Sequence, residues 1–228
     1  ICKLQRLPIS FVGIVSSSRR IAAMSASTGI RPIVFSGPSG SGKSTLIQRL
    51  MERHPGCFRF CVSHTTRQPR AGEKHGQHYW YVTEAEMLAD IDAGKFIEST
   101  HFAGNRYGTS YKAVTDVINS GQIPVLDVDV QGVKSFKAAK LQPPPTYVYI
   151  KAPSMTDLEQ RLRARCTDDD EKIRLRLAEA EAGNAYADQA GAYDVVIVND
   201  NLDAAFAELD KFLADDVARA LAVKASAS

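Results

Sequence analysis

The stretch Gly37-Pro38-Ser39-Gly40-Ser41-Gly42-Lys43-Ser44-Thr45 constrains this chain more than any other. It follows directly on the apolar run Pro32-Ile33-Val34-Phe35 and fits the spacing G-x-x-x-x-G-K-[ST] at every required position. Gly37, Gly40 and Gly42 permit backbone angles that side chains forbid, so successive N–H groups can turn inward around one anion. Lys43 supplies a fixed positive charge for the outer phosphates of a nucleotide, and Ser44 offers a hydroxyl to a magnesium ion. Thr45-Leu46-Ile47-Gln48-Arg49-Leu50-Met51 has helical spacing, so the loop feeds a helix N-terminus whose dipole favours the same anion. An ordinary glycine–serine turn is the plainer alternative. The strand before and the helix after favour a nucleoside triphosphate site.

The rest of the chain agrees with an α/β fold. Runs of strand type recur at Pro32–Ser36, Pro124–Val130, Thr146–Lys151 and Val195–Val198, apolar on both alternating faces as buried parallel strands are. Helical patterns lie near 43–53, 112–120, 154–165, 169–188 and 202–222. This alternation predicts a parallel sheet wrapped by helices. From about 58 to 110 the rhythm breaks, and the segment is dense in Tyr, His, Arg, Gly and Thr. It reads as a small, mostly β insertion that contacts something polar. The predicted organisation is thus a core of 31–57 and 111–222, an insertion over 58–110 and a tail at 223–228.

The net charge of +2 hides an uneven distribution. Residues 1–31 carry Lys3, Arg6, Arg19, Arg20 and Arg31 and no acid, leaving 23 basic against 26 acidic residues elsewhere. A near-neutral body argues against a nucleic-acid binder, whose footprint is a large basic excess. Leu7 to Val15 is far shorter than the ~20 residues that span a bilayer, so no membrane partner is expected. The basic, serine-rich extension 1–30 suits an organelle transit peptide, for mitochondrion or plastid. A translation start at Met24, just before the first strand, suits it too and is preferred here, with the protein cytoplasmic. Cys2, Cys57, Cys61 and Cys166 form neither a metal-type pair nor a disulfide framework, and free thiols fit a reducing compartment. His75 and His78 lack the companions a metal site needs.

A second constellation stands inside the insertion: Ser63-His64-Thr65-Thr66-Arg67-Gln68-Pro69-Arg70-Ala71-Gly72-Glu73, then Gly76-Gln77-His78-Tyr79. Two arginines three apart, with serine and tyrosine hydroxyls, are the components of a monophosphate clamp. On spacing alone a solvated basic turn fits equally well.

The segment from Ser63 to Tyr79 resembles the GMP-binding signature of guanylate kinases. So do Phe96-Ile97-Glu98, Asn105-Arg106-Tyr107-Gly108-Thr109-Ser110 and Leu126-Asp127-Val128-Asp129-Val130-Gln131-Gly132, in order and spacing, from about Arg31 to Leu213. The resemblance implies the reaction ATP + GMP ⇌ ADP + GDP, with Mg²⁺, small-molecule substrates and a monomeric protein. It implies that Ser63, Arg67, Arg70, Tyr79 and Tyr107 hold the GMP phosphate, that Glu98 and Thr109 read guanine, and that Asp129 approaches GMP. Asp127 would support the magnesium shell through water, beside Ser44. Plain capping at a strand end is the alternative for both aspartates. A lid over about 158–176 would carry Arg161, Arg165 and Arg176 onto the phosphates, with Arg165 and Arg176 joining Lys43 in catalysis, and Asn199 would line the adenine. Arg161 and Arg165, one turn apart, read alone as an exposed ion-paired face. Two residues depart from the pattern: Cys166 replaces a glycine, and Gly183 replaces a glutamate inside a long helix, where glycine costs ~1 kcal/mol.

Two other readings compete. A kinase-like scaffold module characteristically loses the working phosphate loop, whereas Gly42, Lys43 and Ser44 are retained here. Another phosphotransferase of the same loop class would not need Glu98 with Tyr107-Gly108-Thr109, which answer the hydrogen-bond pattern of guanine.

Overall fold

The computed structural model describes residues 28–102, 104–164 and 169–227. In chain order its elements are β1 (Ile33–Ser36), α1 (Lys43–Arg53), β2 (Phe58–Phe60), β3 (His64–Thr65), β4 (Trp80–Tyr81), α2 (Glu84–Asp92), β5 (Phe96–Phe102), β6 (Asn105–Ser110), α3 (Tyr111–Asn119), β7 (Ile123–Asp127), α4 (Val130–Ala138), β8 (Thr146–Lys151), α5 (Met155–Ala164), α6 (Asp170–Ala187), β9 (Val195–Val198), α7 (Leu202–Phe212) and α8 (Ala214–Ala227).

The mainly apolar runs β7, β1, β8 and β9, joined at one edge by β2, build one parallel sheet of order β2-β7-β1-β8-β9. β1 lies at its centre and is buried along its whole length, pairing Phe35 with Asp127 on one side and with Val148 on the other. Phe35, Ile47, Leu50, Val125, Phe136, Val148 and Ile150 form the core between sheet and helices. Each such side chain contributes roughly 1.5–3 kcal/mol by leaving water. Because all five strands run the same way, β1, β7, β8 and β9 release their C-terminal ends along one edge, where ligands of α/β sheets bind. The phosphate loop, Asp127 to Asp129 and Asn199 all follow such strand ends.

The insertion carries its own four-stranded sheet of order β4-β3-β6-β5, with antiparallel pairs β3–β6 and β5–β6 and a parallel pair β3–β4.

Four features differ from the sequence-based expectation. Phe58–Phe60 belongs to the parallel sheet, Phe58 opposite Ile123 and Phe60 opposite Val125, so the core sheet reaches into the stretch assigned to the insertion. The pattern Phe-Arg-Phe alternates because β2 is an edge strand with only Phe58 buried. Within the insertion, α2 was not anticipated: Met87 is its only buried residue, so it shows little apolar periodicity. Its start is written instead in a reciprocal cap, Thr83 accepting from the Glu86 amide while Glu86 accepts from that of Thr83. The strand over 124–130 stops at Asp127, and Val130 opens α4, whose first turn is capped by Asp129 accepting from the Gly132 N–H at 2.7 Å. The helix over 202–222 is two helices that meet at Leu213. Leu209, Leu213, Val217 and Ala220 stay buried through the junction, so the apolar spacing hides the break.

Residues 1–27 of the extension assigned to 1–30, with Met24, and the residues Arg165 and Cys166 lie outside the described residues. Among the described residues no helix is long and apolar enough to cross a membrane.

Candidate active site

The phosphate loop packs closely against β8 and against Asn199. Gly37 leaves β1 at φ +144°, and a Cβ there would stand 2.1 Å from the Ile150 carbonyl oxygen of β8. Gly42, at φ +87°, is the N-cap of α1, and a Cβ there would stand 2.1 Å from Asn199 Nδ2. That nitrogen donates to the Ser41 carbonyl at 2.8 Å, and Arg161 Nη2 donates to the Asn199 carbonyl at 2.9 Å. Asn199 is buried. Two side chains from distant elements therefore fix the loop from below.

The helix that leaves the loop has an open N-terminus. α2, α3, α4, α6 and α7 each carry a side-chain cap, whereas α1 has neither a capping side chain nor an acid in its first turn. Its unsatisfied N–H groups and positive dipole end suit an anion. A recess of about 270 Å³ lies over them, lined by Pro38, Ser39, Gly40, Gly42, Lys43, Ser44, Thr45 and Asp127. Lys43 Nζ sits 3.3 Å from Asp127 Oδ1. The Asp127 side chain is 36% exposed at the recess; desolvation by the surrounding walls pushes its carboxyl up, and Lys43 opposes that rise.

The second site is assembled from separate elements. Ser63, Tyr79, Glu98, Tyr107, Asp127 and Asp129 line one cleft of about 730 Å³, together with Thr100, Lys134, Glu179, Gly183 and Tyr186. Glu98 on β5 and Thr109 on β6 are cross-strand partners. The register slips between Phe96 and Glu98, and this bulge re-aims β5 so that Glu98 stands opposite Thr109. Gly108 makes room for the pairing, because a Cβ there would meet the Phe96 ring at 2.8 Å and the Glu98 carbonyl at 2.9 Å. Thr109 sits behind the cleft wall, 1% exposed, with its hydroxyl 3.3 Å from that of Ser63. Burial pushes the Glu98 carboxyl up to about 6; the Thr109 hydroxyl and amide pull it down, and Asp129 raises it.

Arg67 and Arg70 lie beside this cleft and do not line it. Arg67 donates from both terminal nitrogens to Glu73 at 3.0 Å, and its guanidinium stands 5.4 Å from the Tyr79 ring and 5.9 Å from that of Tyr81. Tyr79 and Tyr107 pack edge to face at 6.0 Å. The Arg67 hydrogen bonds, then the Arg70 amide, hold the Glu73 carboxyl down at about 2, and Tyr81 donates a further hydrogen bond. Arg70 itself is exposed.

A central chamber of about 310 Å³ joins the two sites. Lys43 and Ser39 line it from the loop, Asp127 and Asp129 from the strand end, Tyr149 from β8, and Arg176, Glu179 and Gly183 from α6. It shares Lys43 with the loop recess and Asp129 with the insertion cleft. Loop recess, chamber and cleft thus adjoin one another along one groove.

Sequence reasoning missed Tyr149, Lys134, Glu179 and Tyr186 on the groove walls, and the bracing of Arg67 by Glu73. Tyr149, Lys134, Glu179 and Tyr186 lie outside the quoted motifs, whereas Glu73 closes one of them. The capping pattern around Asp129 and the acid six residues after Arg67 are the signals that were present.

A family model described as guanylate kinase matches residues 29–216. A human guanylate kinase is 50% identical over 193 residues, which is 85% of this chain and 97% of that protein. A guanylate kinase of Schizosaccharomyces pombe is 40% identical over 199 residues, 87% of this chain and 98% of the relative. The crystal structure of guanylate kinase from Anaplasma phagocytophilum superposes with a TM-score of 0.60 at 29% identity, covering 82% of this chain and 86% of that one.

Proposed function

The chain belongs to the guanylate kinase family, and from that premise we propose that it moves the γ-phosphoryl group of ATP onto GMP, with its own residues dividing the work as follows. The observation that carries the reading is this groove, with Lys43 and the open α1 N-terminus at one end and the Glu98–Thr109 pair at the other.

Phosphoryl transfer asks for positioning and charge neutralisation more than covalent chemistry. The loop amides and Lys43 hold the β- and γ-phosphates of ATP, while Asn199 and Arg161 support the loop on the adenine side. Glu98 accepts from the N1–H and 2-amino groups of guanine, and Thr109 donates to O6. Ser63, Tyr79 and Tyr107 face the GMP phosphate from the insertion, and Arg67 and Arg70 turn to it from the rim. Arg176 and, on the expectation above, Arg165 bring positive charge onto the transferring group when the lid over 158–176 closes. Closure excludes water and suppresses ATP hydrolysis. No side-chain base is needed, because the acceptor phosphate is already anionic.

Ser44 and Asp127 present hard oxygen donors in the same recess as Lys43 and would hold a magnesium ion. Bound there with ATP, the ion supplies charge neutralisation on the phosphate oxygens. Among the described residues no cluster of three His, Cys, Asp or Glu side chains could form a metal cage. Mg²⁺ takes one or two protein oxygens and completes its shell with phosphates and water. Cys57 and Cys61 are buried free thiols, which supports a reducing compartment such as the cytoplasm.

A coupled assay of ADP release tests the reading. ADP should appear in proportion to GMP added and cease when GMP is exhausted. Release independent of GMP would make the protein an ATPase and overturn it.

A further inference from the structure

Tyr149 projects from β8 into the central chamber, yet none of the expectations above assigned it a task. Its side chain is almost solvent-free, and its hydroxyl donates to Asn184 Oδ1 of α6 at 3.0 Å. One residue earlier on α6 stands Gly183, where a Cβ would lie 2.8 Å from that same hydroxyl oxygen. The glycine opens the gap that the tyrosine fills. The ring is fixed from behind by Tyr193, at 4.9 Å between centroids, which in turn meets Tyr186 of α6 edge to face at 5.9 Å. The contact point is therefore defined on both sides: a stiff aromatic anchored in the central sheet, and a helix notched to receive it.

Helical spacing connects this contact to the chemistry. Arg176, Ala180 and Gly183 recur at i, i+4 and i+7 and line one chamber with Glu179. Two turns of helix, roughly 10 Å, separate Gly183 from Arg176. Over that distance an α-helix acts as a rod, so the seat at Gly183 sets where the Arg176 backbone approaches the loop. We propose that Tyr149 is a positioning residue for phosphoryl transfer, the fulcrum against which α6 bears while it carries Arg176 toward phosphates held at Lys43. The inference rests on the reading of Arg176 given above.

Two double-mutant experiments on the full chain test it. Tyr149→Phe removes the hydroxyl and keeps the ring. It should lower kcat about tenfold, since angstrom-scale misplacement of a catalytic group costs up to about a hundredfold. KM for ATP and GMP should stay within about twofold, and Tm should fall by about 2–4 °C for one lost hydrogen bond. In an Arg176→Met background the same change should alter kcat by less than about twofold, because the effect runs through Arg176. An additive loss there, or an unchanged kcat in Tyr149→Phe alone, overturns the fulcrum while leaving the Arg176 reading intact if Arg176→Met itself turns over slowly but measurably. A fully active Arg176→Met overturns both.

Gly183→Ala supplies the second arm. With Tyr149 present, the new methyl must displace the hydroxyl, and kcat should fall as in Tyr149→Phe. In the Tyr149→Phe background the methyl has room: kcat should not fall further, and Tm should rise because alanine replaces glycine in a helix. Equal losses in both backgrounds would overturn the matched fit.

Discussion

The two ends of the groove are built by opposite means. The donor end is written in consecutive letters, from Gly37 to Thr45, and presents mainly backbone amides. The acceptor end draws Ser63, Tyr79, Glu98, Tyr107 and Asp129 from segments far apart in sequence and presents side chains. A site made of amides recognises what every nucleoside triphosphate shares, the phosphate chain. A site made of side chains on a bulged strand pair recognises what one base has and another lacks. On the proposed assignment the difference teaches where discrimination would reside: generic charge at one end, selective hydrogen bonding at the other.

The largest effect should come from challenging that division with the wrong base. Adenine offers an acceptor at N1 and an amine at position 6, so Glu98 and Thr109 would both lose their partners. Sites built to hydrogen-bond a group reject analogues lacking it by about 10⁴–10⁵. AMP should fall short of GMP by that order in kcat/KM, dGMP should serve well, and IMP should be poor for want of the 2-amine. Glu98→Gln should weaken GMP and narrow the gap. Comparable kcat/KM for AMP and GMP in the unaltered protein would break the comparison outright.

At the donor end, Lys43→Ala should lower kcat by roughly 10²–10³ or more, as loss of a preorganised charge on a transferring group does. The fold should survive, because Lys43 is bonded only to Asp127 among the described salt bridges. Circular dichroism with kinetics would show this, and near-normal kcat would remove the loop from the chemistry.

A smaller effect follows from acidity. With its pKa raised to about 6, Glu98 takes up a proton below that pH and loses its capacity to accept from guanine. KM for GMP should rise about tenfold per pH unit below 6, while KM for ATP stays flat. The GMP phosphate titrates in the same range, so the Glu98→Gln profile provides the baseline to subtract. The stability sign runs the other way. A carboxyl with a raised folded pKa costs nothing when protonated and destabilises as pH rises from about 4.5 to 6. Glu98→Gln should therefore be relatively more stable at pH 7 than at pH 4, measured by denaturant unfolding.

The smallest effect concerns the Arg67–Glu73 pair. Glu73→Gln removes the charged partner of Arg67 at a largely shielded site and leaves its contacts with the Gln68 carbonyl and the tyrosine rings, and KM for GMP should rise roughly two- to fivefold, in keeping with a single ion pair of modest strength. An unchanged KM would show that the brace does not prepare Arg67 for the acceptor.

The same contrast explains what the sequence made legible. The phosphate loop could be read because its physics needs neighbouring letters, β1 and β8 because buried strands are largely apolar, and β9 because its four letters are all β-branched. Ser63, Tyr79, Glu98, Tyr107 and Asp129 became candidates through family resemblance, and the structure brings them to one cleft. Arg67 and Arg70 stand at its side, which spacing could not reveal because Glu73 and two tyrosine rings decide where the guanidinium points. Val130 read as strand because valine suits a strand, but the Asp129 cap overrides propensity there. Gly183 read as a local cost in a helix; its reason, the Tyr149 hydroxyl, sits on another element.

The strap under the loop has a consequence in time. Asn199 reaches Ser41 across 158 positions of chain. At roughly 5–20 residues per second of synthesis, the loop's letters are complete roughly 8–30 s before the residue that holds them. The central strand also waits for partners, since among the described residues β1 pairs with β7 and β8, and such non-local parallel pairings form slowly. A ligand that binds only the finished site adds stability by mass action to finished chains alone. ATP is therefore blind to the nascent protein, motif and all, and begins to protect it only once the sheet has closed around β1.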